Sequence, residues 1–194
     1  MNGNQSKTTS DVIGLRRSVR SYLSKSLGRE TINSLLQAAV KAPTAMHQES
    51  WRFIVIQDQA ILNKISQIAK PLFEQSLHET EHTKSYTNHN LDDPSFNIFY
   101  DADTLIVIVA KASGYFVEAD CWLAAQNIML LATQMGLGTC VIGSAVQALN
   151  TPDMKAFLKI PDGYVAIVPI IVGIPSGVTA VSSRKDPIVL SWIQ

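Results

Sequence analysis

Three arginines and two serines occur within residues 16–21, although only 16 % of the chain is charged. The alternation of residue types predicts an extended segment, which would place Arg16, Ser18 and Arg20 on one side. Two guanidinium forks with a hydroxyl between them are well suited to bind a dianionic phosphate. A solvated basic turn with surface ion pairs is the alternative, because short basic runs are common. The residues alone therefore indicate an anion-binding segment and leave a surface role open.

Length and composition limit the classes of protein that could carry such a segment. The chain has 194 residues, of which 46 % are hydrophobic, and no formal net charge. A general nucleic-acid binder would carry a basic excess, and no apolar run is long enough to span a bilayer. The polar start has no basic-then-apolar leader, and Cys121 and Cys140 form no disulfide framework. We therefore expect a cytoplasmic protein without nucleic-acid or membrane partners, in which Cys140 is a packed small residue.

Helices and strands alternate along the sequence. Residues 1–8 are expected to be a disordered tail, and residues 9–194 a single α+β domain. The polar residues 9–11 are suitable N-caps for a short first helix, and the apolar spacing at 29–41 predicts a second, amphipathic helix. Strands are predicted at 51–56, 104–110, 139–143 and 164–174, with further helices after Asp58 and at 151–159.

The largest predicted element is a helix at 117–135, where 13 of 19 residues are apolar. Apolar residues lie nearly all round it, so it should be buried on most sides. Glu118 and Asp120 fall in its first turn, where the helix dipole favours carboxylates. Asp120 and the central Gln126–Asn127 pair exclude a membrane span.

The polar stretch 71–96 holds three of the four histidines. It is predicted to form a helix and a mobile loop over a site. His78–His82 match the H-E-x-x-H zinc signature, but His89 lies one residue beyond the usual spacing of a third ligand. The segment also lacks an apolar face, so no metal site is expected. Five aromatic residues could line a channel or pack in the core: Phe73, Tyr86, Phe96, Phe99 and Tyr100.

Four stretches, in order, resemble the FMN-dependent nitroreductase family over roughly residues 15–192. They are Arg16–Arg20, Ala42–Phe53, Ala124–Gly143, and the basic pair Arg184–Lys185 followed by Pro187. The resemblance implies a central, mostly antiparallel sheet flanked by helices. It also implies a homodimer with the long buried helix at its interface, and one FMN in each of two interface pockets.

The resemblance further implies which residues contact FMN. Arg16, together with Arg184 or Lys185, would bind the phosphate. Ser18 would bind phosphate or ribityl oxygens, Arg20 would reach the pyrimidine edge, and Arg17 belongs to the same motif. The remaining cofactor-binding residues would come from the second subunit, namely Pro43, Thr44, Ala45 and His47, or lie against the ring near N5, namely Ile142 and Gly143.

Three positions depart from the family pattern. His47 stands where asparagine is usual, Glu49 where glutamine is usual, and Ser50 where proline is common. A carboxylate beside a reduced, negatively charged flavin would be unfavourable. Glu49 is therefore predicted to point away from the ring or to pair with Arg52.

The activity implied by the resemblance is the reduction of small nitroaromatic or quinone-type acceptors by NADH or NADPH through FMN. Flavin brings the redox chemistry, so no catalytic side chain and no metal are predicted. Both substrates would use one pocket in turn, which predicts a ping-pong mechanism. The alternatives are a dehalogenase, a flavin-consuming enzyme, or a non-catalytic flavin-binding protein.

Overall fold

A four-stranded antiparallel sheet forms the centre of the protein in the computed structural model, which describes residues 7–79, 91, 93–181 and 183–194. The sheet order is β1-β2-β4-β3, with β2 and β4 in the middle. Only Lys111 of β2 is exposed, as expected for an apolar strand covered on both faces. The strands are β1 Arg52–Ile56, β2 Thr104–Lys111, β3 Gly138–Val141 and β4 Tyr164–Gly173.

Helices cover both faces of this sheet. Because side chains alternate along a strand, β2 contributes Leu105 and Val107 to one core and Ile106 and Ile108 to the other. The first core includes α3 and α5, and the second includes α2 and α4. Within the described residues, no helix is long and apolar enough to cross a membrane. The helices are α1 Thr9–Leu15, α2 Arg29–Ala39, α3 Gln59–Glu79, α4 Val117–Gln134, α5 Val146–Leu149 and α6 Pro152–Phe157.

The predicted order of helices and strands is confirmed, with corrections at their ends. The N-cap of α1 is Thr8 rather than a residue of 9–11, because its hydroxyl accepts from the Asp11 amide in a capping box. Helix α2 ends at Ala39, two residues before the predicted Lys41, and α6 covers less than 151–159. Strand β3 ends at Val141, since the next residues turn into a 3-10 helix, and α5 was not predicted.

The predicted polar helix and loop are only partly within the described residues. Asp58 caps α3 by accepting from the amides of Ala60 and Ile61, and the helix continues through Pro71 to Glu79. Residues 80–90 and 92 lie outside the described part of the chain. The loop prediction, Tyr86, and the downstream histidines of the proposed zinc signature therefore fall there.

A single chain covers only part of the apolar surface of α4. One side packs on the sheet and α2, through residues such as Ala124 and Ile128. On the other side, Trp122 and Leu123 keep 43 % and 44 % of their surface exposed. The helix therefore has an apolar face that this chain alone does not cover.

The basic segment, residues 16–23, is extended as predicted and is held against the sheet by its backbone. The Val19 amide donates to the Thr139 carbonyl at 2.9 Å, and the Leu23 amide donates to the Ile174 carbonyl at 2.9 Å. Two glycines allow this close approach. A Cβ at Gly138 would lie within 2.7–2.9 Å of the Val19 side chain, and one at Gly173 within 2.9 Å of Tyr22.

We expect Gly138→Ala to destabilise the protein by about 1–3 kcal/mol, because the added methyl overlaps Val19. The measurement is the free energy of unfolding in urea. Gly14→Ala in α1 is the control, since nothing beyond its chain neighbours and its own helix backbone lies within 4 Å of its new methyl group. Combining Gly138→Ala with Val19→Ala should cost less than the sum of the two single changes. Additive costs would mean that this contact does not set the fit of the segment.

Candidate functional site

The basic segment presents alternate residues to opposite sides. Val19 is buried against β3, whereas Ser18 and Arg20 are exposed and Arg16 is half-buried. Val19 thus lies opposite Ser18 and Arg20, as expected for an extended segment. Arg17 behaves differently, because its Nη1 donates to the carbonyls of Gly14 at 2.6 Å and Arg16 at 2.8 Å. Its guanidinium therefore caps the end of α1 and fixes the start of the segment.

A cleft of about 270 Å³, called the main cleft below, opens beside this segment. Arg20 forms one wall, and the chain leaving β3, residues 140–144, forms another. The structure thus brings together three residues that the sequence predicted for one site, Arg20, Ile142 and Gly143. The aromatic residues Phe73, Phe96 and Tyr100 also line the cleft, whereas Phe99 is fully buried in the core.

The chain after β3 turns so that its backbone faces the cleft. The Ile142 amide donates to the Pro169 carbonyl at 2.9 Å, which extends the pairing of β3 with β4 by one residue. A 3-10 turn follows at Gly143–Ala145, closed by the Ala145 amide donating to the Ile142 carbonyl at 3.0 Å. No atom lies within 4 Å of the position that a Gly143 Cβ would occupy. A flat ligand can therefore approach the backbone at this position.

Cys140 lies between the basic segment and the cleft. Burial raises the pKa of its thiol, while the Arg20 guanidinium, the Ser18 hydroxyl and the Arg16 guanidinium oppose the rise. All three predicted anion-binding residues therefore act electrostatically on the same small region. The thiol stays protonated at neutral pH, which agrees with the interpretation of Cys140 as a packed small residue.

The Asp120 carboxylate holds the loop 42–50. The sequence explained Asp120 only as a residue that the helix dipole favours in the first turn of α4. The Ala45 amide donates to Asp120 at 3.1 Å to Oδ1 and 3.3 Å to Oδ2, and Asp120 is only 4 % exposed. Met46 and His47 have φ angles of 53° and 52°, in the left-handed region that non-glycine residues rarely adopt. A carboxylate within a largely apolar helix was the one sequence signal for this anchor.

Glu49 and Arg52 are connected, although not as an ion pair. Arg52 Nη1 donates to the backbone carbonyls of Glu49 at 3.1 Å and Trp51 at 2.8 Å. Arg52 therefore contacts Glu49 through its backbone carbonyl and not through the carboxylate named in the prediction. The bond fixes the end of the loop just before β1.

Three groups of predicted cofactor contacts do not line the main cleft of this chain: Arg16, Arg17 and Ser18, the loop residues 43–47, and the basic pair Arg184–Lys185. Among the described residues, none of Pro43, Thr44, Ala45 and His47 lines it. Arg184 and Lys185 belong to the C-terminal arm, defined here as residues 177–194, whose described residues are all exposed. The arm includes Leu190 at 95 % and Trp192 at 79 % exposure. The arm thus leaves large apolar side chains uncovered in this chain.

Comparison with known proteins agrees with this geometry. A solved structure described as an FMN-dependent nitroreductase from Clostridium difficile R20291 superposes with a TM-score of 0.77 at 25 % identity, covering 97 % of this chain and all of that one. The FMN reductase (NADPH) of Bacillus subtilis is 25 % identical over 180 residues, covering 91 % of this chain and 69 % of the relative. The iodotyrosine deiodinase of Haliscomenobacter hydrossis is 26 % identical over 181 residues, covering 78 % and 76 %.

A family model described as the nitroreductase family matches residues 13–174. The matched region includes the basic segment, the loop 42–50, α4 and the chain after β3. On the combined weight of the fold, the main cleft and this match, the chain belongs to the nitroreductase family and is an oxidoreductase of nitroreductase type.

Proposed function

We propose that the protein binds FMN and uses it to pass electrons from NADH or NADPH to a small nitroaromatic or quinone-type acceptor. One observation carries the proposal: Arg20 of the basic segment, three aromatic side chains and the backbone at Ile142 and Gly143 line the same cleft. Similar proteins support the cofactor and the donor, since one is described as FMN-dependent and another as an FMN reductase that uses NADPH.

The residues present fit FMN at both of its ends. Arg16 and Ser18 supply forked and hydroxyl donors for a terminal phosphate. Ile142 and Gly143 supply a wall without polar side chains, against which a flat ring can stack. A second phosphate, as in FAD, would need a dinucleotide-binding turn, which the sequence lacks. The donor set therefore favours a mononucleotide.

The protein would contribute orientation and electrostatics to the reaction. When bound, FMN supplies the hydride-transfer chemistry itself. Arg20 would place positive charge at the pyrimidine edge, where negative charge develops on reduction. Phe73 and Phe96 line the same cleft and would limit the size of the acceptor. No nucleophile would be required of the protein, because the cofactor would supply the redox chemistry.

We further propose that the working form is a homodimer. The exposed side of α4, the loop 42–50 and the C-terminal arm would then pack on a second copy. This arrangement would bring His47 and the basic pair Arg184–Lys185 to the partner's cleft. The exposed apolar side chains of Trp122, Leu190 and Trp192 support it, because monomers rarely leave such surface uncovered.

The purified protein should carry FMN, and Arg16→Ala should weaken its binding by about 1.5–3 kcal/mol through loss of a charge-assisted phosphate contact. The measurement is FMN fluorescence titration of the deflavinated protein. Arg29→Ala is the charge-matched control, because Arg29 is an exposed residue at the start of α2. Extraction of FAD would contradict FMN as the cofactor. Unchanged FMN affinity in Arg16→Ala would contradict the phosphate contact of Arg16.

Deleting residues 177–194 should shift the protein toward a monomer and reduce its FMN content, because the arm would no longer cover the partner. Sedimentation velocity and flavin absorbance on the same sample measure both effects. The double change Arg184→Ala and Lys185→Ala separates the two roles, since it should lower FMN content while the dimer persists. A stable, FMN-loaded monomer of the full chain would contradict the dimer.

Turnover should follow ping-pong kinetics, because one stacking surface at Gly143 must serve donor and acceptor in turn. Initial rates against NADH concentration, at several fixed acceptor concentrations, should give parallel double-reciprocal lines. Intersecting lines, with a ternary complex detected by binding, would reject this mechanism. A bound flavin that NADH and NADPH do not reduce would instead indicate a non-catalytic flavin-binding protein.

The similarity to iodotyrosine deiodinase supports a second candidate, the reductive dehalogenation of an aryl halide at the same flavin. An iodinated phenol included among the acceptors distinguishes the two. Iodide release that outpaces reduction of every nitroaromatic tested would favour the dehalogenase.

A further inference from the structure

Arg20 lies at the boundary between two clefts. Beyond the main cleft is a second space of about 340 Å³, called the side cleft, which shares the walls Arg20, Phe96 and Tyr100. The side cleft is also lined by the acidic residues Asp93 and Asp101. The Arg20 guanidinium has two possible partners. One is the pyrimidine edge of an FMN bound in the main cleft, and the other is the pair of carboxylates in the side cleft. The contacts of the Arg20 side chain must determine which partner it binds.

The Tyr100 side chain contacts Arg20 at the boundary between the two clefts. Its ring centroid lies 5.9 Å from the Arg20 guanidinium carbon, within the range of a cation–π contact. Burial raises the pKa of the Tyr100 phenol, and the Arg20 guanidinium partly opposes that rise. The phenol therefore remains neutral, and its ring presents an electron-rich face to Arg20.

The Tyr100 ring is itself braced from behind. It meets the Phe96 ring edge-on, with centroids 5.7 Å apart and an interplanar angle of 74°. The Phe96 carbonyl accepts from Lys70 Nζ at 3.0 Å, and the same ammonium donates to the Asp93 carbonyl at 2.7 Å. Helix α3 thus fixes the turn that supports Phe96, and Phe96 in turn supports Tyr100.

The backbone at this position is strained. Tyr100 and Asp101 have φ angles of 53° and 57°, so two consecutive non-glycine residues occupy the left-handed region. The conformation is nevertheless held by local bonds, since the Tyr100 amide donates to the Asn97 carbonyl at 2.9 Å and the Ala102 amide to that of Phe99 at 3.0 Å. It directs the Tyr100 ring toward the cleft while Phe99 points into the core. Strain retained at a cleft is often part of how the site works.

We propose that Tyr100 is a positioning residue, whose ring holds the Arg20 guanidinium in the main cleft and away from Asp93 and Asp101. The inference rests on the proposed function, in which Arg20 stabilises reduced FMN. Without the ring, the Arg20 guanidinium would pair with the side-cleft carboxylates. Its charge would then no longer stabilise the reduced flavin.

The test compares four changes by the dissociation constant and the midpoint potential of bound FMN. Tyr100→Asn removes the ring and tolerates the left-handed backbone, so FMN should bind about 3- to 30-fold more weakly and at a lower potential. Tyr100→Phe keeps the ring but removes the hydroxyl, which also interacts with Arg20, so its loss should be clearly smaller than that of Tyr100→Asn. Adding Asp101→Asn to Tyr100→Asn should recover part of both losses. In an Arg20→Ala background, Tyr100→Asn should have no further effect.

Two results would overturn the proposal. One is an unchanged potential and affinity in Tyr100→Asn when Arg20→Ala impairs both. The other is an equal loss from Tyr100→Asn with and without Arg20, since that would be a general structural effect. Thermal unfolding of each variant identifies loss of fold.

A measurement on the flavin-free protein separates this inference from the proposed function. The Nε–H proton of Arg20 should show a ring-current shift by NMR in the wild type and in Tyr100→Phe, and lose it in Tyr100→Asn. Absence of that shift in the wild type would refute the placement of Arg20 by Tyr100. Failure of the wild type to bind FMN would instead refute the proposed function.

Discussion

The candidate site depends on one backbone pairing, in which residues 18–23 lie along the ends of β3 and β4. Two amide–carbonyl bonds of 2.9 Å hold Val19 to Thr139 and Leu23 to Ile174. Such bonds carry no sequence specificity, so the fit comes from side chains. Val19 and Tyr22 occupy space that only glycine leaves open at positions 138 and 173. These two contacts fix the position of the segment along the sheet, with Val19 buried and Ser18 and Arg20 exposed.

Around this pairing, polar groups far apart in sequence fix the loops that carry the remaining chemistry. Asp120 holds the Ala45 amide, and Lys70 holds two carbonyls of the turn at 93–96. Both anchors are charged groups bonded to backbone, which are among the stronger hydrogen bonds in proteins. They offset the cost of left-handed residues in the neighbouring turns, of order 1–3 kcal/mol each. Each loop therefore combines left-handed residues with a charged anchor.

Local patterns were sufficient to predict the frame of the molecule. Periods of two and 3.6 residues located the strands and the longer helices, and alternation placed Arg16, Ser18 and Arg20 on one side. The sequence did not reveal contacts between distant residues, such as Asp120 with Ala45. It also left Phe99 and Tyr100 equivalent, because the backbone turn that separates them is set by tertiary bonds. Arg17 was grouped with its neighbours, since nothing local predicts that its side chain turns back to α1.

The same pairing links the candidate site to the proposed dimer. The Ser176 amide donates to the Ser21 carbonyl at 2.9 Å, one residue before the C-terminal arm begins. The arm thus departs from the basic segment itself. The described residues of the arm form no helix or strand and are all exposed. A partner that binds the arm would also tighten the segment from which it starts. Assembly and cofactor binding would then reinforce each other, because both act on the basic segment.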